Sequence, residues 1–172
     1  MNGDSDTRFG DDAVSGEEVV QELLNRPCLA AIAQPETGGD LLLHFGGWQP
    51  YEDPPNPRVL TSERGKWSLM LCCPWRLDGP RAPICDWRSV ADSGKQSQQP
   101  YLVLEGLTIE AVELIKPGLD LRLHFARGFR LSALCDSVGS SDDCWYLLRP
   151  DDSSIAATRD FRLLYEPPAP SD

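Results

Sequence analysis

His44 and His124 are the residues of this chain that most invite a chemical role, because each stands in the same short string. Asp40-Leu-Leu-Leu-His-Phe45 and Asp120-Leu-Arg-Leu-His-Phe125 differ at one position. A metal site or an acid–base pair would need carboxylates or thiols converging on those imidazoles. The plainer reading is a half-exposed residue on the polar side of a strand, repeated by duplication. No Ser or Cys stands in a Gly-x-Ser-x-Gly context, and no Gly-rich phosphate loop is present. Gly38-Gly39 and Gly46-Gly47 read as turn glycines. The expectation is therefore of no catalytic, cofactor-binding or metal-ligating residues and no cofactor.

Acids are the next candidates. Asp136, Asp142 and Asp143 lie in one connection and Asp151 and Asp152 in the next. A calcium loop wants acids at alternating positions closed by a bidentate Glu, and this spacing does not supply them. Either they are solvated turn residues or they form a negative contact surface for a basic partner. The string Cys72-Cys73-Pro74-Trp75-Arg76-Leu77 is the most distinctive in the chain. Trp75 and Arg76 are of the types enriched at interface hot spots. The competing reading is a strand stopped at Pro74, with Trp75 folded onto the core and Arg76 against an acid. The six cysteines contain no C-x-x-C pair, so most read as buried thiols acting as small apolar residues. Cys135 and Cys144 flank an expected hairpin loop and could meet across it.

The net charge of −11 is unevenly placed. Residues 1–25 carry a net −6, residues 26–100 balance, and the remainder carries −5. Such a field disfavours nucleic acid and anionic membranes, both polyanions, and suits a basic protein. Solubility alone is the plainer explanation. No run of the sequence approaches the roughly 18 apolar residues of a membrane span. The opening residues have neither a basic nor an apolar segment, which makes a cytoplasmic location the expectation.

The elements that must position these side chains follow from the pattern. Residues 1–14 read as a disordered acidic leader, 15–166 as a single β-rich domain and 167–172 as a frayed tail. Ser15 and Glu18 have capping-box spacing, and Val19, Val20, Leu23 and Leu24 make one apolar stripe. A helix is expected at about 16–25, ended by Pro27. Strands follow at Cys28–Ala33, Asp40–Phe45, Lys66–Cys73 and Ala82–Trp87. Further strands are expected at about 107–115, 119–126, 129–135, 144–149, 153–158 and 161–165. Gln49–Gly65, with four prolines, reads as a long irregular loop, and Ser89–Pro100 as a mobile connection.

The echo extends beyond the histidine strings: Trp67-Ser-Leu69 matches Trp145-Tyr-Leu147, and Ile84 matches Ile155. Two meander halves, about 28–88 and 101–166, explain it, each burying its apolar face against the other. Alternation points Leu121, Leu123 and Phe125 inward, with Arg122 and His124 outward. In the first copy Leu42 replaces Arg122, so its second face should be covered too, with the helix as candidate cover. The fold class is mainly β: two repeated antiparallel halves packed as a sandwich or partly open barrel, with one N-terminal helix.

The strings around Trp75-Arg-Leu77, Gly118-Leu-Asp-Leu-Arg-Leu-His-Phe125 and Cys144-Trp-Tyr-Leu147 carry a resemblance. Over about 28–165 the chain resembles small uncharacterised bacterial proteins with a W-R-[LI] strand, a D-L-R-L-x-F hairpin and a closing W-x-L strand. The resemblance implies no enzymatic activity, and some small acidic proteins of this look are immunity proteins beside secreted toxins. The functional expectation is an immunity-type inhibitor that occludes a basic toxin domain through an acidic surface. The alternatives are a subunit self-associating through Trp48, Trp75 or Trp87, and an enzyme or metal protein using His44 and His124.

Overall fold

A computed structural model describes residues 15–50, 63–92, 99–136 and 143–168. The expected leader therefore lies outside the described residues, as do Asp142 and most of the expected tail. The chain runs α1 (Gly16–Gln21), β1 (Cys28–Gln34), β2 (Asp40–Pro50), β3 (Glu63–Leu71), β4 (Trp75–Asp78) and β5 (Pro83–Asp86). It continues through α2 (Trp87–Asp92), β6 (Ile109–Ile115), β7 (Asp120–Phe125), β8 (Phe129–Ala133), β9 (Asp143–Leu148), β10 (Ser154–Thr158) and β11 (Leu163–Glu166). Two antiparallel sheets form, one of order β1-β2-β3-β9-β10-β11 and the other β5-β4-β8-β7-β6. They pack as a sandwich around a core of inward-facing residues from both.

The expected helix is shorter than its apolar stripe. Ser15 and Glu18 form the capping box, but Asn25 turns the chain at φ 63°. Contrary to expectation, α1 does not cover the outer face of β2. Val19, Val20 and Leu23 are buried in the core, and Gln21 Nε2 donates to the Val112 carbonyl at 2.8 Å. The expected loop over Gln49–Gly65 is cut back at both ends, because β2 runs to Pro50 and β3 starts at Glu63. The expected mobile stretch from Ser89 begins inside α2. Asp86 and Ser89 cap that helix reciprocally, with Ser89 N–H on Asp86 Oδ1 at 2.9 Å and Asp86 N–H on Ser89 Oγ at 3.0 Å.

The halves are not one sheet each. The first supplies β1-β2-β3 to one sheet, then crosses so that β4-β5 join the other. The second supplies β6-β7-β8, then crosses back with β9-β10. Pro74 breaks the first strand early, and four residues too few to register as a strand in the sequence, Trp75–Asp78, make the first crossing. Register shows the true correspondence. Leu41 and Leu43 pair with Leu71 and Leu69, as Leu121 and Leu123 pair with Ala133 and Leu131. Trp75 pairs with Ala133, as Trp145 pairs with Leu71. Trp145 is thus the counterpart of Trp75, not of Trp67, and Ile155 that of Cys85, not of Ile84.

The repeat closes on itself where β1 and β6 begin. Cys28 N–H donates to Leu107 O at 2.9 Å, and Ile109 N–H to Arg26 O at 3.0 Å. Outside these, Asn25 N–H donates to Ile109 O and Gly106 N–H to Cys28 O. Gly106 adopts φ 80°, the left-handed conformation that Asn25 also holds. Each bond has its counterpart when the halves are exchanged, as about a two-fold axis. The core leucines, with Leu41, Leu43, Leu69 and Leu77 wholly inaccessible, each contribute about 1.5–3 kcal/mol by burial.

Candidate functional site

The two histidines do not converge. His44 lies on the six-stranded sheet and His124 on the five-stranded one. Leu42 and His44 are both buried, which corrects the half-exposed reading for the first copy. His44 Nδ1 accepts from Gly65 N–H at 3.1 Å and lies 2.9 Å from Ser68 Oγ. The Trp48 ring sits against it, centroid to centroid 5.5 Å. Burial, helped by the nearby Arg64 guanidinium, pushes the imidazole down to about 4. Near neutral pH it is an uncharged acceptor that fixes the β2–β3 hairpin. His124 instead faces outward with its Nε2 2.7 Å from Glu113 Oε1, while Arg122 holds Glu113 Oε2 at 3.1 Å. Among the described residues no group of three His, Cys, Asp or Glu is placed to hold a metal ion.

Trp75 is also not a contact residue in this fold. It is 1% exposed, and its indole N–H donates to Gly39 O at 2.7 Å. Arg76 is on the surface, paired with Asp78. Asp78 is almost enclosed; burial alone would raise its carboxyl, but hydrogen bonds from Arg130 and Arg76 outweigh that and hold it below the usual range.

The acids divide between the two ends of β9. Asp143 opens that strand and Asp136 stands before it, with the Asp136 carboxylate 3.8 Å from Arg159. Asp151 and Asp152 follow its other end. The Ser153 hydroxyl and amide bond Asp151 and hold its carboxyl low, with Arg149 3.9 Å away. Asp152 pairs with Arg64. The sequence reading missed Arg64, which lies in the expected loop yet is 1% exposed and donates to the carbonyls of Gly65, Lys66 and Arg149. It also missed Glu22, which accepts from Trp67 Nε1 at 3.0 Å and from two Arg149 nitrogens at 2.7 and 3.1 Å. Charged residues give no periodic signal, so neither role is legible from spacing.

Cys135 and Cys144 form a disulfide, Cα atoms 5.3 Å apart. Cys28 and Cys73 are buried thiols pushed up to about 12 by desolvation, as expected of residues packed as apolar groups.

The outer faces of the sheets differ at equivalent places. Across the six-stranded sheet one row reads Ile32, Leu42, Met70, Tyr146, Ala156 and Leu164. The matching row of the five-stranded sheet reads Glu113, Arg122, Ser132, Arg76 and Asp86. The repeat therefore presents an apolar row on one side and a charged row on the other.

No helix among the described residues is long and apolar enough to cross a membrane. Comparison of the chain with known families, curated proteins and solved structures finds no match.

Proposed function

We propose that this protein is a non-enzymatic binding module for a basic protein, and in particular an immunity-type inhibitor of a basic toxin domain. The observation that carries the reading is the charge layout: a chain of net −11 in which both ends of β9 carry aspartates, Asp136 and Asp143 at one and Asp151 and Asp152 at the other. The side chains of Asp151 and Asp152 are 57% and 58% exposed, so their ion pairs leave them open to a second cation. Opposed potentials across an interface speed association and select the partner.

The test is to capture partners from the native host at low and high salt, with wild type and with Asp143→Lys/Asp151→Lys as bait. The expected result is one basic protein, held at low salt and lost with the double variant. Binding indifferent to both salt and charge reversal would overturn the proposal.

Self-association through tryptophan rests on a narrower base than its sequence suggested. Trp48 is 47% exposed, but Trp75 is buried and Trp87 packs against the core.

A further inference from the structure

We infer that Cys72 is a second redox centre of this chain, the thiol through which the enclosed Cys135–Cys144 disulfide exchanges with thiols outside the protein. The inference is independent of the basic-partner reading. It concerns the place where the two crossings between the sheets lie side by side.

Cys72 and Cys73 belong to the first crossing, and each stands beside one half of the disulfide. The β3–β9 register pairs Leu71 with Trp145, and Cys72 N–H donates to Cys144 O at 2.8 Å, so Cys72 and Cys144 are direct cross-strand neighbours. Hydrogen-bonded antiparallel pairs hold their Cα atoms about 5.5 Å apart, inside the span of roughly 4.4–6.8 Å that a disulfide bridges. On the other side Trp75 pairs with Ala133 and Leu134 N–H donates to Pro74 O at 2.8 Å, which brings Cys73 beside Cys135. Arg159 ties the two crossings together, donating to Cys72 O and to Asp136 O at 3.4 Å each.

Access separates these sulfurs. Cys144 is 0% exposed and Cys135 8%, which screens the disulfide from a thiol in solution, whereas Cys72 is half-exposed. Cys73 is buried, and desolvation pushes its thiol up to about 12, which keeps it protonated and leaves the attack to Cys72. Exchange proceeds by attack of a thiolate on a disulfide sulfur. Cys72 gives its proton to water and attacks Cys144 Sγ. The Cys72–Cys144 bond forms, the Cys135–Cys144 bond breaks, and Cys135 leaves as a thiolate that takes up a proton. One thiol and one disulfide stand on each side of this step, so it needs no oxidant. An outside thiol then attacks Cys72 Sγ and Cys144 leaves as a thiolate that takes up a proton. A second outside thiol releases Cys72. The sum reduces Cys135 and Cys144 and oxidises two outside thiols to one disulfide. The first step replaces a tie between the sheets, from the end of β8 to β9, by one within the six-stranded sheet, from β3 to β9.

The test follows reduction of the folded, oxidised protein by glutathione, quenched with N-ethylmaleimide and mapped cysteine by cysteine in a mass spectrometer. Cys72→Ser should lose the Cys135–Cys144 bond about tenfold more slowly than the wild type, because attack must then come from solution on a buried sulfur. Cys85→Ser should match the wild type. In Cys135→Ser, oxidised glutathione should leave Cys144 linked to Cys72. Cooperative thermal unfolding of each variant is checked first, and Cys72→Ala replaces Cys72→Ser if that variant fails it. Loss of folding would speed reduction, so a structural defect does not imitate the expected slowing. Equal rates in the wild type and the folded Cys72 variant would overturn the inference. So would a Cys135→Ser protein in which Cys144 is linked only to Cys73 or to glutathione.

Discussion

Trp75 and Trp145 are counterparts in two interlocked halves, each donating its indole N–H to the carbonyl that precedes the repeated Asp-Leu string. Trp75 reaches Gly39 O at 2.7 Å and Trp145 reaches Leu119 O at 2.8 Å. Gly39 and Leu119 both hold positive φ, 96° and 59°. Each tryptophan lies on the strand that has crossed to the other sheet, so each bond ties one sheet to the turn that starts a strand of the opposite one.

Trp75→Phe and Trp145→Phe should therefore cost similar amounts, about 1–3 kcal/mol each, by leaving a buried carbonyl without its donor. Urea unfolding measures both. A cost confined to one of them would show that the two halves do not share this tie.

The Cys135–Cys144 disulfide has a counterpart of another kind. By register, Cys135 corresponds to Cys73 and Cys144 to Pro74, which are neighbours in the chain. The second crossing thus carries the insertion 136–143, closed at its base by the disulfide across a separation of 9. Deleting 136–143 together with Cys144→Pro recreates the first crossing. This variant should unfold cooperatively and be insensitive to reductant. The wild type should lose about 2–3 kcal/mol on reduction by the chain-entropy estimate. Thermal unfolding with and without reductant checks both.

His44 should make stability depend on pH. Its folded value of about 4 lies below the unfolded 6.5, so the unfolded chain binds the proton first between them. Stability from this group is complete above 6.5 and falls as pH drops toward 4, by roughly 3 kcal/mol. His44→Asn, whose side-chain oxygen can still accept from Gly65 N–H, should flatten that slope in denaturation measured across the window. An unchanged slope would contradict the assignment.

Arg64→Ala should destabilise by about 3–5 kcal/mol, because it strips hydrogen bonds from one buried and two partly buried carbonyls as well as the ion pair with Asp152. Asp152→Asn should cost about 1 kcal/mol or less, since that carboxylate is more than half exposed. Chemical denaturation of the two variants ranks them.

Sequence by itself determined the mainly β class, the capped N-terminal helix, and the second-half strands to within about two residues. The reason is local: alternation such as Leu121-Arg-Leu-His-Phe125 and turn residues such as Pro117-Gly118 act within a few residues. It also revealed the repeat through its longest matching strand. Only the tertiary structure decided which strands pair. β3 lies beside β9 and β4 beside β8 through contacts distant in sequence, and a four-residue strand after Pro74 carries too little periodicity to announce that crossing. Burial of His44 and Arg64, and the gathering of six apolar residues into one outer row, depend likewise on register between strands, which no single segment encodes.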